Sequence, residues 1–391
     1  MSNFTPPIRW PAEFNTLPQD IFHRRDVYEI ELERIFYGPE WHPIGHAAEI
    51  PRKGDFKTFK IGERPVLMVR EGDDEIRVFL NSCPHRGTMI ETCPRGHAAR
   101  FQCPYHRWTF NIDGRLIAAP GMEEFPADFR KEDYGLKQVR SAMAFGVVFA
   151  TFSDNPPDFD EYLGEVKPYI GTICGSGDDL KLIGYQKARF ATNWKEYSDN
   201  ENYHAPLLHG AFQILKLGSL PGTAFTSAYG HKVGTSGLKE AGNSSFMSDP
   251  QLLTSKDPTC EPRTLIVSIY PMTLFAKHLD TINLRFGFPV SPDEVEIHYA
   301  YFVHASDSEE LVRHRIWQSS NLMGPSGFIS LEDGSVFSRI HAGSFSGSTV
   351  AFQKGYSGPI EGPYEPGKGD EAGNLIRWER YRKIMEFDRA Q

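Results

Sequence analysis

The sequence predicts an α+β protein of two domains: a small all-β domain, then a larger one mixing sheet and helix. Three observations predict it. The chain has 391 residues, too long for one ordinary core. Between about 40 and 152, short stretches such as DFKTFKIG, PVLMVREG and IRVFLN lie between turn signals, as strands do. From 264 to 303, TLIVSIYPMTLFAK, TINLRFGFPV and EVEIHYAYFVH form a second strand-rich block, followed by the helix-like DSEELVRHRIWQSSNLM. The expected division is 1–39 as an N-terminal segment packed on the larger domain, 40–155 as the β domain, and 156–391 as the larger domain.

The elements follow in order. Residues 1–24 read as irregular, with Pro6, Pro7, Pro11 and Pro18. DVYEIELERIF predicts a helix that Asp26 caps, with Glu29 three positions on. Pro39 limits its extension. Gly72–Asp73 and Asp113–Gly114 predict hairpin turns. AFGVVFATF predicts one central strand closing the small domain. FDEYLGEVKPYIGTI predicts a short helix, KLIGYQKARFAT a strand entering the second domain, and ATNWKEYSDNENYHAPLLHGAF an interrupted helix. Residues 355–370 read as a long surface loop. In the final helix, Leu375, Trp378, Tyr381 and Met385 form one packing stripe.

Composition excludes some functions. With 42 basic and 51 acidic side chains the net charge is −9, without the basic footprint of a nucleic-acid binder. Five cysteines (Cys83, Cys93, Cys103, Cys174 and Cys260) are an odd set that argues against a disulfide framework and for a reducing compartment. MSNFTPPIRWPAEF is neither basic nor apolar, so it does not read as a signal peptide. No apolar run approaches the roughly 18 residues of a membrane span. The expectation is a soluble, cytoplasmic protein without a membrane or nucleic-acid partner.

Two pairs of metal-binding residues stand close together. NSCPHRG contains Cys83 and His85, and FQCPYHRW contains Cys103 and His106. Two thiolates and two imidazoles suit zinc or an iron–sulfur cluster. The first pair has one residue between ligands, where the first pair of a zinc site usually has two to four.

CPHRG followed by CPYHRWTFNIDGRL resembles the cluster loops of Rieske non-haem iron ring-hydroxylating oxygenases, large (alpha) subunit family. The resemblance implies that Cys83 and Cys103 hold one iron of a [2Fe–2S] cluster and His85 and His106 the other. Cys93 has no place in that pattern, and Arg86, Tyr105 and Trp108 are expected to shape the cluster pocket. Residues 40–155 become a Rieske [2Fe–2S] domain, and 156–391 a catalytic domain with an antiparallel sheet flanked by helices.

A second cluster lies in NWKEYSDNENYHAPLLHG. His204 and His209 are five positions apart, about 140° around an ideal helix, so they would not share a face unless Pro206 ends or kinks it. Alone, the pair reads as one buried and one surface histidine. Asn193, Trp194, Lys195, Glu201, Tyr203, His204 and His209 also resemble the family's iron-binding segment. This implies a mononuclear Fe(II) held by His204, His209 and a later carboxylate, a facial triad with open positions. GFISLEDGSVF offers Asp333, which the family's pattern favours, or Glu332. Read without the family, both sit in a solvated turn before Gly334. Glu201 stands where many relatives have an aspartate bridging the cluster histidine of one subunit to an iron histidine of the next. Asp199 is a substitute with poorer spacing.

The resemblance implies a terminal oxygenase component. It would use O2 and electrons from NAD(P)H through a reductase, with a ferredoxin in some systems, as a homotrimer or an α3β3 assembly with a small subunit. The expected reaction is hydroxylation, cis-dihydroxylation included, of an aromatic carboxylate. Arg285, Arg313, Arg315 and Arg339 are the candidate carboxylate clamps. Phe275, Phe286, Phe288, Tyr299, Tyr301 and Phe302 read mainly as core. One alternative is a Rieske monooxygenase or demethylase of a quaternary amine, suggested by Glu201. The other is a non-catalytic iron–sulfur electron-transfer protein.

Overall fold

The computed structural model describes residues 7–390 apart from 74, 201–208, 217–221, 238–244, 246, 258–263, 353–361 and 367–369. The small β region is a seven-stranded antiparallel sheet. Its order is His42–His46, Val147–Thr151, Gln138–Ala144, Ile76–Leu80, Arg64–Arg70, Asp55–Ile61 and Arg95–His97. A three-stranded sheet (Arg100–Gln102, Thr109–Asn111, Leu116–Ala118) completes it. Phe56, Leu67, Val69, Phe79, Phe101, Trp108 and Phe110 close a core of its own.

AFGVVFATF is not one strand. Phe145 (φ 51°) and Gly146 (φ 77°) both take left-handed backbone and turn the chain between Ala144 and Val147. Two consecutive positive φ angles suit a two-residue hairpin loop whose twist matches its strands. A Cβ on Gly146 would stand 2.5 Å from the His46 ring. Phenylalanine in the first turn position hid the turn from sequence.

The second sheet is also seven-stranded and antiparallel. Its order is Leu180–Phe190, Glu294–His304, Thr281–Ser291, Thr273–His278, Thr264–Ile269, Lys232–Ser236 and Ala224–Thr226. Side chains alternate across it, so its two faces differ. Ile282, Leu284, Phe286 and Phe288 are buried on the back face. There Phe59 of the first sheet meets Phe286 and Phe288 edge-on, and His46 meets Phe302. The front face is set by register: Arg285 pairs with Leu274 and Tyr299, Asn283 with Ala276 and Tyr301, Thr281 with His278. Phe275, Phe286, Phe288 and Phe302 are therefore core, while Tyr299 and Tyr301 belong to the front.

The segment GFISLEDGSVF is not a turn. It lies within a 17-residue helix, Phe328–Ser344, that continues through Gly334. Phe337 packs this helix onto Phe190 and Tyr197 over the front face. FDEYLGEVKPYIGTI forms two helices, Phe159–Leu163 and Lys167–Cys174, parted at Gly164 (φ 46°). Asp26 lies inside the helix Arg25–Glu31 rather than capping it, and Arg24 grips its carboxylate at 2.6 Å. The final helix, Ala372–Met385, buries Leu375, Trp378, Tyr381 and Met385, the stripe the sequence predicts. Near the N-terminus, Thr16–Pro18 pairs with Thr349–Ala351, and Trp10 packs on Tyr381. Among the described residues no helix is long and apolar enough to cross a membrane.

His231 is fully buried. Its Nδ1 accepts from the Tyr270 amide (3.1 Å) and its Nε2 donates to the Tyr162 carbonyl (3.0 Å), so the ring is neutral. Burial pulls its pKa down to about 3. The unfolded chain takes up this proton near pH 6.5 and the folded chain does not. Its contribution is therefore complete above 6.5 and is lost as pH falls. Between pH 6.5 and 4.5 the loss should reach about 2 kcal/mol. Urea unfolding of wild type and His231→Asn across this range should give a shallower pH slope in the variant. Equal slopes would contradict this assignment.

Candidate active site

The two Cys–His loops are built alike. In the first, the Cys83 amide donates to the Thr88 carbonyl and the Gly87 amide to the Cys83 carbonyl. In the second, the Cys103 amide donates to Trp108 and the Arg107 amide to Cys103. The fourth residue after each cysteine turns back through left-handed backbone, at Gly87 (φ 74°) and Arg107 (φ 62°). Glycine does this without strain. Arg107 is held in place by its Nη1, which donates to Gln102 Oε1 at 2.9 Å.

The loops present both thiols inward and both imidazoles toward the surface. Cys83 and Cys103 are buried, and His85 and His106 are half-buried. The imidazole rings stand 4.6 Å apart, edge to face. Trp108 stacks flat on His85 at 4.9 Å, and Tyr105 lies against His106 at 3.8 Å. Burial raises the Cys83 thiol, and Cys103 beside it adds to the shift. His106 Nδ1 is buried without a hydrogen-bond partner, a cost that ligation would remove. Among the described residues, no three His, Cys, Asp or Glu side chains converge on one point. A Rieske cluster takes two protein ligands per iron, thiolates on one and imidazoles on the other, and the two thiols and two imidazoles brought together here are such a set. The residues present fit the cluster.

In the larger domain, Asn193 starts the helix Trp194–Ser198 with a capping box, its Oδ1 accepting from the Lys195 amide. Trp194 Nε1 donates to Glu31 at 2.7 Å, and Lys195 pairs with the same carboxylate at 2.6 Å. These residues anchor the segment. Asp199 is also in use, accepting from Trp378 Nε1 at 2.8 Å. Glu201, Tyr203 and His204 lie outside the described residues.

His209 begins the helix Gly210–Leu215. Its Nδ1 lies 3.2 Å from Asp333 Oδ1, and the Asp333 carboxylate raises the imidazole's pKa above its ordinary value. Glu332 points elsewhere: its carboxylate accepts from the Gly210 amide (2.7 Å) and the Ala211 amide (2.8 Å). The two adjacent carboxylates thus divide the work, one satisfying a helix start and one facing His209. A histidine and a carboxylate at one point are two of the three groups a facial triad requires.

Beside this pair a cavity opens over the front face of the sheet. One lobe is lined by Tyr197, Tyr299, Phe337 and Lys232, the other by His278, Thr281 and Asn283, and both by Arg285 and Asp333. Of the four candidate arginines, Arg285 is the one in the cavity. Arg315 is 1% exposed and clamped between Asp257 (2.7 Å) and Asp307 (2.8 Å), so it is not available to a ligand. Arg313 and Arg339 are exposed on helices away from the lining. The sequence could not rank these four, because the ranking depends on strand register and on partners far along the chain.

Two Cys–His loops in a β domain, and a His–Asp pair beside a cavity in a second domain, are two separate sets of residues of metal-ligand type. Comparison with known proteins gives the family. Residues 40–139 match the Rieske [2Fe-2S] domain, and residues 178–368 match the ring hydroxylating alpha subunit (catalytic domain). The chain is 32% identical to the terephthalate 1,2-dioxygenase terminal oxygenase component subunit alpha 2 of Comamonas sp, with 97% of each chain covered. It is 32% identical to the salicylate 5-hydroxylase large oxygenase component of Ralstonia sp, over 84% of this chain and 85% of that one. Its fold matches naphthalene 1,2-dioxygenase from Rhodococcus sp. with a TM-score of 0.80 at 23% identity, over 95% of this chain and 94% of that one. The chain belongs to the Rieske ring-hydroxylating oxygenase alpha subunits, enzymes that carry a Rieske cluster and a mononuclear iron.

Proposed function

We propose that this protein is the terminal oxygenase that hydroxylates an aromatic carboxylate, with O2 and with electrons passed from NAD(P)H by a reductase. One observation carries the reading. The Arg285 guanidinium lines the cavity beside Asp333; among the described residues its Nε has no hydrogen-bond partner, and its Nη2 makes one long contact (3.4 Å) to the Met323 carbonyl. A buried guanidinium without a carboxylate partner is costly, and a substrate carboxylate would satisfy it. Arg285 also lies over the Tyr299 ring at 5.0 Å, which orients the fork.

In this reading Cys83, Cys103, His85 and His106 hold the cluster, while His209 and Asp333, with His204, hold the mononuclear iron. The iron supplies the oxygen chemistry that side chains cannot perform. Arg285 anchors the acid, Tyr197 and Phe337 flank an aromatic ring, and the helix Phe328–Ser344 shields the site from water. Glu201 would carry electrons between subunits from His106 to His204, which requires an assembly of several copies. The relatives named for terephthalate and salicylate support an aromatic acid as substrate. Arg285 would equally meet the carboxylate of a betaine, so the aromatic reading is preferred over a quaternary amine on the relatives named for terephthalate and salicylate, each 32% identical over more than four fifths of this chain.

Arg285→Gln should raise KM for aromatic carboxylates about 10- to 100-fold, the range of a lost charge-assisted bond, with iron content intact. Steady-state kinetics on a panel of benzoates, alongside metal analysis, would measure this. An unchanged KM would remove Arg285 as the clamp.

A further inference from the structure

One wall of the cavity carries polar groups that no described residue satisfies. Asn283 is fully buried, and among the described residues neither its amide nitrogen nor its carbonyl oxygen has a hydrogen-bond partner. His278 is 8% exposed; its Nδ1 meets Thr264 Oγ1 at 3.0 Å, and its Nε2 has no partner. Both residues line the lobe that Arg285 and Asp333 share. Buried polar groups are nearly always paired, so three orphaned atoms on one cavity wall need an explanation.

Register makes this wall. Asn283 lies two residues from Arg285 on the same strand and therefore on the same face. His278 and Thr281 are cross-strand partners one step further from Arg285. The wall is neutral. Burial, with Arg285 nearby, pulls the His278 pKa down to about 4, so the ring is uncharged at neutral pH. The carboxamide offers one donor and one acceptor, and the imidazole Nε2 offers one further site. Arg285 is the cation of this lobe, and Lys232 in the other lobe already donates to Asn374.

We infer that Asn283 and His278 form a second recognition site, for a neutral ring substituent that both donates and accepts hydrogen bonds. The substrate class is then hydroxy- or amino-substituted aromatic carboxylates, not unsubstituted benzoates or benzenedicarboxylates. This rests on the reading of Arg285 as the carboxylate clamp and adds to it. Arg285 selects the acid, and Asn283 selects the second group. A site built to hydrogen-bond a substituent rejects the analogue lacking it, because its own polar groups then stay buried and unpaired.

The test is calorimetric binding to the holoenzyme without turnover. The probes are benzoate, the three hydroxybenzoates, the three aminobenzoates and benzene-1,4-dicarboxylate. At least one hydroxy- or aminobenzoate should bind wild type about tenfold more tightly than benzoate and the dicarboxylate. Asn283→Leu should abolish that preference, removing the tenfold advantage of the substituted acid over benzoate. Arg285→Gln should weaken every acid. If Asn283→Leu does not fold, His278→Phe carries the same comparison from the other end of the wall. Acids that bind with Arg285 dependence but without the substituent preference overturn the second site alone. Tighter binding of the dicarboxylate overturns its neutrality. Equal loss of benzoate and hydroxybenzoate affinity in Asn283→Leu reduces Asn283 to a structural role. If no aromatic acid binds, the carboxylate reading fails and the second site fails with it.

Discussion

Asp333→Ala is expected to lose about one iron per chain and to lower turnover by about 1,000-fold or more, while the Rieske absorption and paramagnetic signals remain. The reason is local. Asp333 is the carboxylate facing His209, at 3.2 Å. Glu332 is bound to the amides of Gly210 and Ala211. Glu332→Gln keeps an acceptor for one of the two amides and should retain iron, costing about 1–2 kcal/mol as a weakened helix start. Metal analysis and visible spectra of the two variants separate these roles. If Glu332→Gln loses the iron and Asp333→Ala keeps it, the assignment is reversed.

Lys195→Met should be the most destabilising conservative-volume change in the larger domain. Lys195 is 1% exposed and Glu31 is 0% exposed, and the two lie 2.6 Å apart. Glu31 also accepts from Trp194 Nε1 and the Tyr381 hydroxyl. This carboxylate therefore joins the N-terminal helix, the helix Trp194–Ser198 and the C-terminal helix. Without Lys195, a buried negative charge loses its counter-ion, which costs about 3–5 kcal/mol. Thermal unfolding should fall by about 10 °C. Adding Glu31→Gln removes the stranded charge; its one oxygen accepts from Trp194 Nε1 and its amide nitrogen can donate to the Tyr381 hydroxyl oxygen, so the double variant should recover part of the loss. A double variant no more stable than Lys195→Met would show that charge is not the cause. Because Trp194–Ser198 leads into the stretch before His209, the single variant should also bind iron less well.

Different parts of this molecule were legible to different degrees. The two Cys–His loops were readable as loops because their geometry is local. Each cysteine and its histidine sit in one loop of a few residues, whose hydrogen bonds close within five positions. The strands of both sheets were readable from alternation, and the last helix from its stripe. The Phe145–Gly146 turn was not, because its first residue lacks the turn composition that would announce it. The helix through Glu332 and Asp333 was not legible, because Gly334 is a local breaker. Packing of Phe337 on Phe190 and Tyr197 holds the helix together there. His204 and Glu201, whose roles came from the family resemblance, lie outside the described residues.

By itself the sequence determined which residues are chemically able to hold metal, and that they fall in two sets, because ligand type and short spacing are properties of the chain. Tertiary structure alone decided which carboxylate faces His209 and which arginine faces the cavity. Glu332 reaches the Gly210 amide across 122 positions, and Arg315 is claimed by Asp257 across 58. Such choices are made by register and burial, which bring distant residues into contact, and no local pattern records them.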